Sequence, residues 1–158
     1  MNRMKKYSIA FISVIFVVSL AARIAFSHCE IPCGIYDDKM RSDLIQEHTE
    51  TIEKSMKTIR KLQKEKDVNW NQLVRWVHNK EEHADEIQEI ATQYFMFQRI
   101  KPAEKSDEKK YDKYILELTA MHRISVFAMK CKQTTDVEHV KKIRKHLKEF
   151  NTSYFGGK

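Results

Sequence analysis

Between Gly34 and Gly156 the chain has no glycine at all, and its only prolines are Pro32 and Pro102. A β-sandwich or barrel needs turn residues every 8 to 12 positions or so. A dinucleotide or phosphate loop needs glycines directly behind a strand. Neither can be assembled from such a stretch, which leaves helices joined by polar links. A length of 158 residues, 42% hydrophobic and 32% charged, suits one helical domain.

The apolar spacing divides that domain. Asp37 or Asp38 caps a first helix in which Met40, Leu44, Ile45, Ile52, Met56 and Ile59 recur at helical intervals, and the polar residues 64–67 end it. A second helix covers residues 70–99, with Leu73, Val77, Ala84, Ile87, Ala91 and Tyr94 on one side, and Pro102 stops it. After the charged link 103–109, a third carries Tyr111, Tyr114, Ile115, Leu118, His122, Ser125, Val126 and Met129. Thr135 and Glu138 have the spacing of a capping box, opening a fourth helix with Val137, Val140, Ile143, Leu147 and Phe150. Four apolar stripes on short links predict an all-α, antiparallel four-helix bundle over residues 37–150, with 151–158 as a flexible tail. A bundle alone does not define a function. The Glu-x-x-His signature of carboxylate-bridged di-iron bundles is absent.

The net charge of +7 raises the question of nucleic acid. Arg3, Lys5, Lys6 and Arg23 all precede residue 28 and no acid does, so the remaining 25 bases face 22 acids, a surplus of only +3. Beyond the leader, bases and acids alternate as on solvated helix faces, which argues against a nucleic-acid partner. Residues 1–27 instead read as a leader: a basic start, an uncharged run over 7–22, and small residues at Ala25 and Ser27 ahead of a scission before His28. The run of 16 residues falls short of the roughly 20 that a membrane-spanning helix needs. The expectation is export to the periplasm or the exterior after a peptidase removes the leader, with membrane anchoring only if the leader stays.

Scission there makes His28 a terminal amine and places an amine, an imidazole and the thiols of Cys29 and Cys33 within residues 28–33. The His28 amine, the Cys29 amide nitrogen and the Cys29 thiolate form adjoining chelate rings, and Cys33 closes the fourth side if the chain folds back. Pro32 and Gly34 favour that reversal. A plane of two nitrogens and two sulfurs suits Ni(II) or Cu(II) better than zinc, with the His28 ring left to bind axially. For the two cysteines alone, a local disulfide or a redox dithiol is the competing reading.

His28, Cys29, Pro32, Cys33, Gly34 and Tyr36 together resemble the N-terminal nickel hook of the nickel superoxide dismutases, with all six fixed positions of the motif present over residues 28–36. The resemblance implies conversion of superoxide to dioxygen and hydrogen peroxide by Ni(II)/Ni(III) cycling, in a homohexamer of four-helix bundles. It makes His28, Cys29 and Cys33 the metal ligands, places Tyr36 beside the open axial face, and suggests a cis bond before Pro32. Tyr94 resembles the family's second tyrosine. Where the family has a lysine soon after it, this chain has Met96, so Arg99 or Lys101 is expected to steer the anion. The His28 ring needs a carboxylate partner; Glu47 or Glu50, oriented by Arg75, are the candidates. The alternative function is a non-enzymatic exported helical protein with an N-terminal disulfide or a metal-carrying dithiol.

Overall fold

A computed structural model describes residues 32–156, so the leader, His28, Cys29 and the bond before Pro32 lie outside the described residues. The chain forms two units, Met1–Tyr36 and Asp37–Lys158. The second consists of α1 (Asp38–Leu62), α2 (Trp70–Glu89) running on as a π-helix (Ile90–Arg99), α3 (Glu108–Gln133) and α4 (Glu138–Phe155). Helix α1 packs on α2 and α4, and α3 packs on the same two, so the four close around one core as the expected four-helix bundle. The links 63–69, 100–107 and 134–137 are short, which makes successive helices antiparallel.

Three helices start on side-chain caps. Asp37 accepts from the Met40 N–H at 2.9 Å, Asn69 from Gln72 at 3.1 Å and Asp107 from Lys110 at 3.2 Å, each satisfying an amide the helix leaves open. The expected capping box at Thr135 does not form. Helix α4 begins at Glu138, because Thr134 and Asp136 spend their side chains inside the link, on the N–H groups of Asp136 (3.2 Å) and Glu138 (3.0 Å).

The expected stripes of α1, α2 and α4 face the core, except that Met40 is exposed and Leu44, Leu73, Val77 and Val137 are partly buried. On α3 the phase differs: Ile115, His122 and Met129 are exposed, while Glu117, Ala120, Met121, Ile124, Ala128 and Cys131 are buried. That helix carries apolar residues around much of its circumference, and the face turned inward includes the small Ala120 and Ala128. Glu117 tolerates burial because the Ser153 hydroxyl donates to it at 3.0 Å and Lys113 stands 3.7 Å away.

The flexible tail expected from Asn151 is a correction. Helix α4 runs to Phe155, and Tyr154 packs edge-on against Phe95 and stacks on Phe150, with ring centres 5.8 and 4.9 Å apart. The opposite end of the bundle has its own fastening. The buried Lys80 ammonium of α2 donates to the carbonyls of Cys131 (2.8 Å), Lys132 (2.5 Å) and Thr134 (3.3 Å), capping the C-terminus of α3. Among the described residues no helix is long and apolar enough to cross a membrane.

Candidate metal centre

The described part of the first unit is a reversal. The Ile35 N–H donates to the Pro32 carbonyl at 3.0 Å, closing a four-residue turn around Cys33 and Gly34. Both central residues have positive φ, 39° at Cys33 and 88° at Gly34. This is the φ pattern of a type I′ turn, which strains an L-residue and suits glycine at the second central position. Cys33 is exposed at the apex, as a thiol must be to meet ligands from an earlier part of the chain. The reversal at Cys33 and its exposed thiol fit the fold-back that the hook expected from the sequence requires.

The second unit opens on an ionic node. Asp38, in the first turn of α1, accepts from Arg99 Nε at 2.7 Å and a second Arg99 nitrogen at 2.9 Å, from the Tyr94 hydroxyl at 2.8 Å and from the Tyr154 hydroxyl at 2.9 Å. Arg41 lies over the Tyr94 ring, 5.2 Å from its centre. The π-helix explains how one carboxylate meets both Tyr94 and Arg99. In an α-helix, residues five apart stand about 140° apart around the axis. An i→i+5 ladder brings them onto nearly one face. The ladder's last bond, from the Ile100 N–H to the Phe95 carbonyl, is 2.8 Å.

Burial by itself would raise the Asp38 carboxyl, but the bonds from Arg99, Tyr94 and Tyr154 outweigh it and hold the group below the usual carboxylate range. Burial and the bond to Asp38 push the Tyr154 phenol up to about 12, and Tyr94 moves the same way. Both tyrosines are therefore fixed donors near neutral pH, and the node is an anchor.

Of the expected site residues, Cys33 and Tyr36 lie in the first unit and Tyr94 and Arg99 meet at Asp38, while Lys101 is exposed and makes no ion pair among the described residues. Lys101 lines a surface cavity of about 400 Å³ with Arg99, Lys110, Lys113, Glu117 and Tyr154. Arg99 carries its charge into that cavity already paired with Asp38. Glu47 and Arg75 are exposed on α1 and α2, with no hydrogen bond or ion pair joining them; the Glu50 carboxylate takes a bond from Gln46 at 2.7 Å. Sequence reasoning missed Asp38 as more than a cap, and Tyr154 altogether. Tyr154 was open to detection, since Ile143, Leu147, Phe150 and Tyr154 continue one stripe without a breaker before Gly156.

The sequence pattern that defines the nickel-containing superoxide dismutases matches residues 23–158. No curated protein and no solved structure matches the chain.

Proposed function

The chain belongs to the nickel-containing superoxide dismutases, and from that premise we infer how its residues divide the work. The reaction takes two superoxide ions and two protons to dioxygen and hydrogen peroxide, and nickel, when bound, supplies the one-electron steps between its +2 and +3 states. His28, Cys29 and Cys33 would hold the metal: the terminal amine and ring of His28, the amide nitrogen and thiolate of Cys29, and the thiolate of Cys33. Two thiolates bring the Ni(III)/Ni(II) potential into a range superoxide can serve from both sides. The observation that carries this reading is the coincidence of the six hook residues with a family match that includes them all.

Tyr36, three residues after Cys33, would hold a water or small anion through its hydroxyl beside bound nickel and restrict entry to something of superoxide's size. Lys101, exposed and in no ion pair among the described residues, contributes positive potential that attracts the anion, whereas Arg99 is neutralised by Asp38. Glu47 is exposed on α1 and its carboxylate takes no hydrogen bond or ion pair among the described residues, which leaves it available as the carboxylate partner that the His28 ring would need. The enzyme is exported, and a peptidase cleaves before His28, five residues after the family match begins. The assembly is a homohexamer. Trp70 and Val74, one helical turn apart on α2, are 69% and 65% exposed and offer apolar surface for subunit contacts.

Replacing each thiol tests the assignment. Cys29→Ser and Cys33→Ser both lose nickel retention and dismutation while the helical circular dichroism stays, and full activity in Cys33→Ser sinks the hook mechanism. Light scattering reports the assembly, where a fully active monomer contradicts the hexamer.

A further inference from the structure

We propose that Asp38 is a positioning residue for the hook, pinning the chain where the hook ends to both the π-helix and the end of α4. The inference rests on the assignment of Cys33 and Tyr36 above. Helix N-termini are where chains ordinarily fray. Here the first turn is held instead by bonds from residues 56, 61 and 116 positions away. Asp37 adds its own cap on the Met40 N–H, so two consecutive residues are fixed by different means.

The energetics point the same way. A partly buried carboxylate–guanidinium pair adds little net stability compared with apolar packing. It does give direction, because a bidentate arginine fixes the carboxylate plane and two phenols fix its remaining lone pairs. The π-helix has the same effect, since it places Tyr94 and Arg99 on one carboxylate at the expense of regular helix geometry. A chain pinned at Asp38 can carry Tyr36 no further than about 7 Å from that point and Cys33 no further than about 17 Å. Releasing the pin lets the first turn of α1 open and widens both limits, which loosens the placement of a ligand and of the gate together. Tyr94 therefore acts on the hook through Asp38, by holding the anchor.

The test uses the nickel-loaded protein and two variants, Tyr154→Phe and Asp38→Asn. Tyr154→Phe removes one donor from the far end of the chain and leaves the hook sequence and the Asp38–Arg99 pair intact, so it keeps the test informative if Asp38→Asn folds poorly. Three readouts are taken: amide hydrogen exchange, the electron paramagnetic resonance spectrum of the oxidised nickel, and the ratio of kcat to KM. A hydrogen bond to a charged group is worth at least about tenfold in a local opening equilibrium. In Tyr154→Phe, exchange at the Met40 and Arg41 amides, both bonded to Asp37, rises about tenfold, exchange in Glu108–Gln133 is unchanged, and the nickel spectrum broadens or shifts. Asp38→Asn shows the same pattern, larger. If exchange rises equally throughout the bundle, or if amides 40 and 41 loosen and the nickel spectrum stays that of the parent, Asp38 is a stability residue only and the proposal is overturned. Failure of the underlying ligand assignment shows separately, as a parent protein that holds no nickel and gives no such spectrum.

Discussion

Gly34→Ala isolates the contribution of the turn to metal capture. At Gly34 φ is +88°, and a Cβ built there meets nothing within 4 Å. The substitution therefore causes no clash, and its whole cost is conformational. An L-residue with left-handed backbone pays about 1–2 kcal/mol relative to glycine. The metal-free hook escapes that cost by leaving the turn, so nickel has to drive it back and the cost appears in the dissociation constant. By the conversion of 1.4 kcal/mol per factor of ten, nickel binds about 5- to 30-fold more weakly. The bundle Asp37–Lys158 is a unit of its own, so its melting temperature stays within about a degree. Competition against a nickel chelator measures the first quantity and a thermal melt the second. Unchanged affinity refutes a required reversal at Cys33 and Gly34. A loss beyond a thousandfold shows that Gly34 does more than relieve backbone strain, since strain of this size cannot produce it.

Lys80→Met keeps the side-chain length but leaves the carbonyls of Cys131, Lys132 and Thr134 without their donor, which costs about 2–3 kcal/mol of stability in denaturant unfolding; a neutral result rejects the capping role. His48 and His83 face each other across α1 and α2 with their Nδ1 atoms 2.7 Å apart, so one ring donates and the other accepts. Burial first, and then the His83 charge, hold the His48 pKa below 6.5 against the opposing pull of Glu86 and Glu47. The folded state therefore binds fewer protons than the unfolded one. Its stability is complete above pH 6.5 and declines as the pH falls through the lower folded value. Melting temperatures followed from pH 8 to 5 show this decline in the parent and a flatter profile in His48→Gln; equal profiles assign the decline to other groups. Tyr36→Phe retains nickel and changes turnover or inhibition by small anions, and an enzyme identical to the parent on both counts removes Tyr36 from the gate.

The number of helices and most of their ends could be read from residues with one mechanical meaning each. Asp37 is a short side-chain oxygen acceptor ahead of an apolar stripe, and Pro102 disfavours helix at the residue before it. The inward face of α3 was not readable, because Ala120 and Ala128 carry little hydropathy while the larger Ile115 and Met129 stand outside. Packing chooses small residues where helices approach closely, and a count of apolar side chains does not register that choice. The π-helix left no trace either, since an i→i+5 ladder changes the pitch without needing a different composition. The hook is the reverse case. Six residues within nine positions carry its motif, while the node at Asp38 depends on contacts over as many as 116 positions. Asp38 next to Asp37 looks like one more acid at a helix start; only the fold shows that Arg99 and two tyrosines converge on it.

Nickel-based dismutation in this chain depends on a free amine at His28. Intact mass of the protein from nickel-grown cells, combined with metal analysis and a superoxide assay on the same sample, is the test. The expected result is a mass beginning at His28, about one nickel per chain, and activity that disappears when nickel is removed. A chain that retains residues 1–27, or one two hydrogens light and free of nickel, with no dismutation in either case, contradicts it and leaves a disulfide-closed or anchored helical protein.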